Sequence, residues 1–336
     1  MAAYYRSATE YRFSEEQTND IIQATAYQRK GYPLCAIWFR PHDHVDIRQS
    51  IATSSERTSP DGFGSLDRLP PELLLEILFH LDMHSLFKFR QTNLRARQTI
   101  NSLPQYRIVV SHGLNLLCAT LRTRVATHIS LLDIYSALCT KACSLCGEFG
   151  GFVFLLTWKR CCFKCIKEAP ETKVQTLAAA RRQFSLTEDE VGQVRTFKTL
   201  RGLHLKEQCV RKSRNAIVSV QQVRQVYEQR LSVKAGASQA QEISPEVYYI
   251  LEFKTSCALP HYDRRTGNVE HAMSCAGCQL TLAKYSGSGS HEKWALDACN
   301  KMYSRDGFLE HFKWCAHAQL LWRSSENGSP QVVDME

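Results

Sequence analysis

At 336 residues the chain is long enough for two or three domains. Its balance of 44% apolar and 22% charged residues is that of an ordinary globular protein, which excludes collagen-like and wholly disordered classes. No stretch reaches the roughly 20 apolar residues of a membrane helix, and the start, MAAYYRSATEYRFSEE, lacks the apolar core of a secretory signal. The expected location is therefore cytoplasmic, nuclear or both. Thiols stay reduced there, so the 14 cysteines read first as metal ligands rather than disulfides. The net charge of +9 is moderate and scattered, the pattern of a solvated surface.

Residues 1–60 are polar apart from Pro33–Phe39 and are expected to form a flexible N-terminal arm. His42 and His44 lie close together there, but no cysteine or acidic cluster accompanies them, so they read as a solvated loop.

The next stretch, Leu66 to Val110, organises the chain. Pro71 suits the first position of a helix, where its missing N–H costs nothing. Leu73, Leu74, Ile77, Leu78 and Leu81 then recur at helical spacing as one broad apolar stripe. Asp82 can cap a second helix carrying Leu86, Phe87 and Phe89, and Asn93 a third carrying Leu94 and Ile100. Leu75 and Phe79 stand off the stripe, leaving apolar surface for a partner. A DNA-reading pair of helices, with Arg90, Arg95 and Arg97 on phosphates, is disfavoured because the second helix offers mostly Leu and Phe to base edges.

With its LPPELL start at Leu69, then Ile77-Leu78, Leu81, Ser85-Leu86 and the basic Arg95, this stretch resembles the F-box, here over 65–111. The F-box is the helical module that hooks a receptor onto the Skp adaptor of SCF ubiquitin ligases. Where many F-boxes carry a Trp, this chain has Ala96, a variant common in filamentous fungi. The resemblance implies adaptor contact or support by Leu69, Pro70, Leu73, Leu74, Ile77, Leu78, Leu81 and Leu86, and through the adaptor a cullin.

Residues 112–170 are expected to hold further helices and a first zinc module. Leu114, Leu117 and Leu121 mark one helix; Leu131, Ile134, Tyr135 and Leu138 mark another, opened by a capping-box pattern at Ser130 and Asp133. Cys143 and Cys146 form a Cys-x-x-Cys followed by Gly147, and Cys162 and Cys165 a second after 15 residues. Two such knuckles facing each other make a four-sulfur tetrahedral site, which zinc prefers, with Phe149–Leu156 as strand or hairpin between them. Cys161 and Cys139 are neighbours that could substitute as ligands, and the Cys-x-x-Cys knuckle favours Cys162 over Cys161.

Residues 171–240 read as a helical linker region, with caps at Thr187/Glu190 and Ser219/Gln222. The interval Arg195–Arg214 holds seven Lys or Arg against Glu207 alone, but only Phe197 could stack on a base, so a solvated face is expected. In the C-terminal module, 241–323, Cys275-x-x-Cys278 precedes His311-x-x-x-Cys315 by 32 residues, across a flexible SGSGS loop. His311 and Cys315 stand one helical turn apart and project from one face, the logic of a zinc finger. Cys299, His291 and His317 compete as ligands. A flexible tail, 324–336, follows.

The order CSLCGEFGG, KRCCFKC, CAGC, FLEHFKWC after an F-box is similar to that of a group of fungal F-box proteins with cysteine-rich C-terminal regions. The expected fold is mainly α: a three-helix F-box, then a helical region with two zinc-stabilised knuckle modules that confine the strands. Two structural zinc ions are expected, each with four protein ligands, and no Ser-His-Asp motif, phosphate loop or HExxH is present. The function expected is a non-catalytic substrate receptor of a ubiquitin ligase, with an unknown protein target and no membrane partner. The alternatives are a zinc-dependent nucleic-acid-binding regulator, weakened by a His311 helix whose only basic residue is Lys313, and an F-box protein acting with the adaptor outside a ligase.

Overall fold

The computed structural model describes residues 6–28, 37, 51, 62–200, 202–203, 210–211, 215–233, 249–285 and 290–325. His42, His44, the side chain of His291 and residues 326–336 lie outside them. Helices dominate, and those expected from the F-box stretch span Pro71–His80, Met83–Arg90 and Leu94–Ser102. Asp82 Oδ1 accepts from Ser85 N at 2.9 Å and Asn93 Oδ1 from Ala96 N at 2.8 Å, so both caps form. Pro104–His112, Leu114–Thr123 and Leu131–Cys139 follow as three more helices. Ser130 and Asp133 close the capping box reciprocally, Ser130 N donating to Asp133 Oδ2 at 2.8 Å.

The hairpin expected between the first knuckles is Phe152–Phe154 against Lys159–Cys161. Its other edge receives Ser256–Ala258, so the completed sheet is three-stranded and antiparallel, with the fully buried Phe152–Phe154 at its centre. Ser256–Ala258, which the sequence reading places in the C-terminal module 241–323, thus belongs to the sheet of the first cluster. The helix before it, Tyr249–Lys254, docks by Phe253 on Phe163, 4.7 Å between ring centroids. F-box, following helices and this sheet share one continuous core.

Strands are not confined to the knuckles. Where a helical linker region is expected, Val174–Thr176, Ala216–Ser219 and Thr196–Lys198 form a second antiparallel sheet, in that spatial order. The helices Leu177–Phe184 and Val220–Val233 cover it, around a small core of Ala180, Phe184, Val194, Val218 and Val223. These strands are three or four residues long, too short to show alternation, and their β-branched residues sit beside stronger helical signals.

The flexible arm does not hold for residues 6–28. Ser14 and Gln17 open a turn, Gln17 Oε1 accepting from Ser14 N at 3.0 Å, and the helix Thr18–Thr25 buries Ile21 completely. Ala26–Tyr27 then pairs antiparallel with Ser274–Cys275, and Ser7 N donates to Trp314 O at 2.9 Å. Tyr11 and Phe13 meet Phe312 edge-on. The N-terminal segment and the C-terminal helices therefore make one separate core. Ile37 and Ile51, also inside the expected arm, are buried in the main core.

Glu252 is fully buried, with Lys173 Nζ 3.4 Å from its Oε1. Burial pushes its carboxyl up to about 7 from an ordinary 4.5, and Lys173 only partly opposes this. The folded chain thus holds this proton more tightly than the unfolded chain does. The contribution to stability is complete below pH 4.5 and is lost as pH rises through 7. Glu252→Gln, which mimics the protonated form, should match the wild type at pH 4.5 and exceed it at pH 8 by up to about 3 kcal/mol. Urea unfolding of both proteins across that range measures it; a difference that is independent of pH contradicts the assignment.

Candidate docking face and metal centres

The stripe read from the first F-box helix divides in the structure. Leu74 and Leu78 point into the main core with Met83, Leu86 and Ile100. Leu73 and Ile77, four residues apart and so on one ridge, are 48% and 44% exposed, and Leu75 beside them 37%. Pro70 is exposed, and Leu69 and Leu81 are half-buried. One helix thus carries two apolar faces, one spent on folding and one open to solvent.

Two of the three arginines of the DNA-reading alternative, Arg90 and Arg95, are otherwise engaged. Arg90 is fully buried, donating to Asn101 Oδ1 at 2.9 Å and Ile51 O at 2.7 Å. Arg95 pairs with Asp67 at 3.5 Å and lies over the Phe63 ring. Ala96 is completely buried.

Both cysteine clusters assemble as the spacing implies. Among the described residues two groups bring potential metal-binding atoms within 4.8 Å of one another: Cys143, Cys146, Cys162 and Cys165, and Cys275, Cys278, His311 and Cys315. In the first, Gly147 turns the chain at φ +77°, a conformation glycine adopts freely, and its N–H donates to Cys143 O at 2.9 Å. The other knuckle runs into the helix Phe163–Glu168, where Cys165 N donates to Cys162 Sγ at 3.4 Å. In the second cluster Cys278 N donates to Cys275 Sγ at the same distance, 3.4 Å. His311 and Cys315 descend from the helix Arg305–Phe312 and the turn after it, and Tyr303 stacks on the His311 ring.

The spacing of the donor atoms suits a tetrahedral cation. Arms of about 2.3 Å to sulfur imply edges of roughly 3.7 Å. Cys146 Sγ lies 3.6 Å from Cys162 Sγ, Cys275 Sγ 3.8 Å from Cys315 Sγ, and Cys278 Sγ 3.4 Å from His311 Nε2. S–H donors on Cys161 and Cys162 hold the Cys143 thiol far below its usual range, and those on Cys275 and Cys278 do the same for Cys315. Burial pushes Cys165 up to about 12, and the hydrogen bond to Cys143 pushes Cys162 higher still. Ligation needs deprotonated sulfur, so a bound cation would displace the protons that Cys162, Cys165, Cys275 and Cys278, whose thiols are pushed up, otherwise hold.

The competing residues whose side chains are described stand outside the two quartets. Cys161 is wholly buried at the end of its strand, opposite Phe152, and is hydrogen-bonded to Cys143 without being one of the four. Cys139 meets Tyr135 and Arg264. His317 Nδ1 is hydrogen-bonded to Thr281 Oγ1 at 3.0 Å, and the buried Cys299 is outside both groups. The N-terminal strand behind Cys275 was missed by sequence reasoning, although Ser14-x-x-Gln17 is a capping signature that marks a helix start there.

Residues 66–108 match the family model of the F-box domain. No curated protein and no solved structure matches the chain. An F-box domain and two Cys/His clusters able to chelate a metal are thus present, and no helix among the described residues is long and apolar enough to cross a membrane.

Between Cys275 and Cys278, Gly277 packs directly on the backbone of the last described helix, Ala316–Ser324. A Cβ at Gly277 would stand 2.3 Å from Ala318 N, which no side-chain rotation relieves. Gly277→Ala should therefore loosen that helix and raise protease cleavage around Trp322, while Gly192→Ala, at a glycine with open space around it, leaves cleavage unchanged. Limited proteolysis with mass spectrometry compares the two.

Proposed function

We propose that the chain is a non-catalytic substrate receptor of an SCF-type ubiquitin ligase. Its F-box docks the Skp adaptor, and through it a cullin, while the remainder presents a protein target. The observation that carries this reading is the divided first helix: within residues matching the F-box family, Leu73 and Ile77 stand exposed on a helix anchored by Leu74 and Leu78. Leu73, Ile77, Pro70 and Leu75 are the contact residues in this proposal. Leu74, Leu78 and Leu86 support them from beneath, with Leu69 and Leu81 at the margin. Holding a target beside the conjugating enzyme raises the effective concentration of its lysines, so the receptor itself needs no reacting group.

Truncating the exposed pair, Leu73→Ala with Ile77→Ala, should abolish co-purification of adaptor and cullin and leave the unfolding midpoint unchanged. Leu74→Ala should instead cost about 2 to 5 kcal/mol of stability. Adaptor binding undiminished in the folded double variant refutes docking by this face. Adaptor captured without cullin places the protein outside a ligase.

In the same reading each quartet holds one structural zinc ion. Four protein donors fill a tetrahedral shell and leave no position for a reacting water, which supports a structural rather than hydrolytic role. Protein purified without chelator should contain two zinc ions per chain. Cys146→Ser and Cys278→Ser should each remove one, and Cys161→Ala neither. One zinc, lost with Cys146→Ser and kept with Cys278→Ser, rejects the second site; none rejects both.

A further inference from the structure

The two cysteine clusters differ in how far solvent reaches their sulfurs. In the second, Cys275, Cys278 and Cys315 are 1%, 5% and 6% exposed, with Ala26–Tyr27 paired along Ser274–Cys275 and Tyr303 stacked on His311. In the first, Cys143 and Cys162 are buried but Cys146 is exposed. Cys146 ends its knuckle, and a Cβ on the next residue, Gly147, would meet no atom within 4 Å beyond its chain neighbours. The tip of this knuckle therefore stands in open space.

A second sulfur lies directly behind it. Cys146 Sγ is 3.6 Å from Cys162 Sγ, across the two knuckles, so the pair is already in contact. Cys162 is held from its other side, where Cys165 N donates to its Sγ at 3.4 Å as the helix Phe163–Glu168 begins. One sulfur is thus exposed on a free-standing turn, and the other is fixed beneath it.

We propose that Cys146 and Cys162 form a modification site for hydroperoxides, where oxidation to a disulfide releases the metal ion of the first cluster and leaves that of the second in place. The inference rests on the zinc reading of the quartets, because a metal-bound cysteine is a thiolate, the form that peroxides attack. Cys146 Sγ attacks one peroxide oxygen; the O–O bond breaks, hydroxide leaves and the sulfur becomes a sulfenic acid. Cys162 Sγ then attacks that sulfur; the S–O bond breaks, a second hydroxide leaves and the S–S bond forms. The two thiolates lose two electrons between them, and the peroxide gains both. Cys143 and Cys165 are left, half of a tetrahedral donor set.

The test uses the full chain purified without chelator, with its zinc content measured first. Hydrogen peroxide is then added, a colorimetric zinc indicator follows release, and non-reducing peptide mapping after blocking of free thiols locates the bond. One ion per chain should leave at least tenfold faster than the other, with a Cys146–Cys162 bond formed, and dithiothreitol with added zinc should restore it. Cys161→Ala, which removes the neighbouring thiol outside the quartet, should leave the rate unchanged. Cys146→His, which keeps a metal donor but cannot form a disulfide, should hold two ions and slow release of the first at least tenfold. Equal release from both clusters, a bond to Cys165, the other sulfur near Cys146, or a wild-type rate in a zinc-loaded Cys146→His overturns the proposal. Where the His variant binds no zinc, the wild-type bond map decides alone. Two ions that peroxide does not release defeat this inference and leave the metal reading standing; a first cluster without zinc before treatment defeats both.

Discussion

Arg160 is the interaction on which the junction between the helical and cysteine-bearing parts depends. The residue is 3% exposed, and its guanidinium donates to four carbonyls: Gly150 in the loop after the first knuckle, Ala137 at 3.0 Å, and Leu259 and Pro260 at 2.8 and 3.0 Å beyond the third strand of the sheet. Among the described residues no carboxylate pairs with it. Burial draws its value down to about 9, still well above neutrality, so the buried group stays charged and is solvated by carbonyl dipoles in place of water. One of these carbonyls lies near the C-terminal end of the Leu131–Cys139 helix, where backbone oxygens lack helical partners and carry partial negative charge. A single side chain thus satisfies the end of the helix behind the F-box, fixes the loop beside Cys143 and clamps a strand about 100 residues away in sequence.

The two cysteine clusters are housed differently. The first is built into the main core, with Cys143 and Cys162 buried among its residues. The second belongs to the small core made by the N-terminal segment and the C-terminal helices. Between these bodies run ion pairs at the surface, Lys141 with Glu270 at 3.0 Å, Lys301 with Glu148 at 3.2 Å and Lys167 with Asp297 at 2.9 Å. Pairs of this kind contribute little individually and weaken in salt. The cores, not the charges between them, hold each cluster in shape.

What could be read from the sequence was local. Pro71, Asp82, Asn93 and the Ser130/Asp133 box mark helix starts because each acts within four residues of itself, and the two Cys-x-x-Cys knuckles are short for the same reason. The burial of Leu74 against the exposure of Leu73 was not legible, because adjacent leucines look equivalent until the packing side of the helix is known. The sheet of Val174–Thr176, Ala216–Ser219 and Thr196–Lys198 depends on pairings made across tens of residues. The ladder of Ala26–Tyr27 on Ser274–Cys275 spans most of the chain, and a polar-looking segment with Ile21, Tyr11 and Phe13 spread through it gives no local sign of such a partner.

That last ladder has a consequence in time. Ala26 and Cys275 are 249 positions apart, so at about 5 to 20 residues per second of synthesis the N-terminal segment waits roughly 12 to 50 seconds for its partner to emerge. Throughout that interval Ile21, Phe13 and Tyr11 have nothing of their own to cover them, while the F-box helices, whose contacts are close in sequence, are already able to fold. A nascent chain would then hold formed F-box helices before the body that carries the second cluster has closed. Translation pauses or premature termination after the F-box would release its helices with no sealed C-terminal body, and with Ile21, Phe13 and Tyr11 still lacking the partners that cover them in the complete fold.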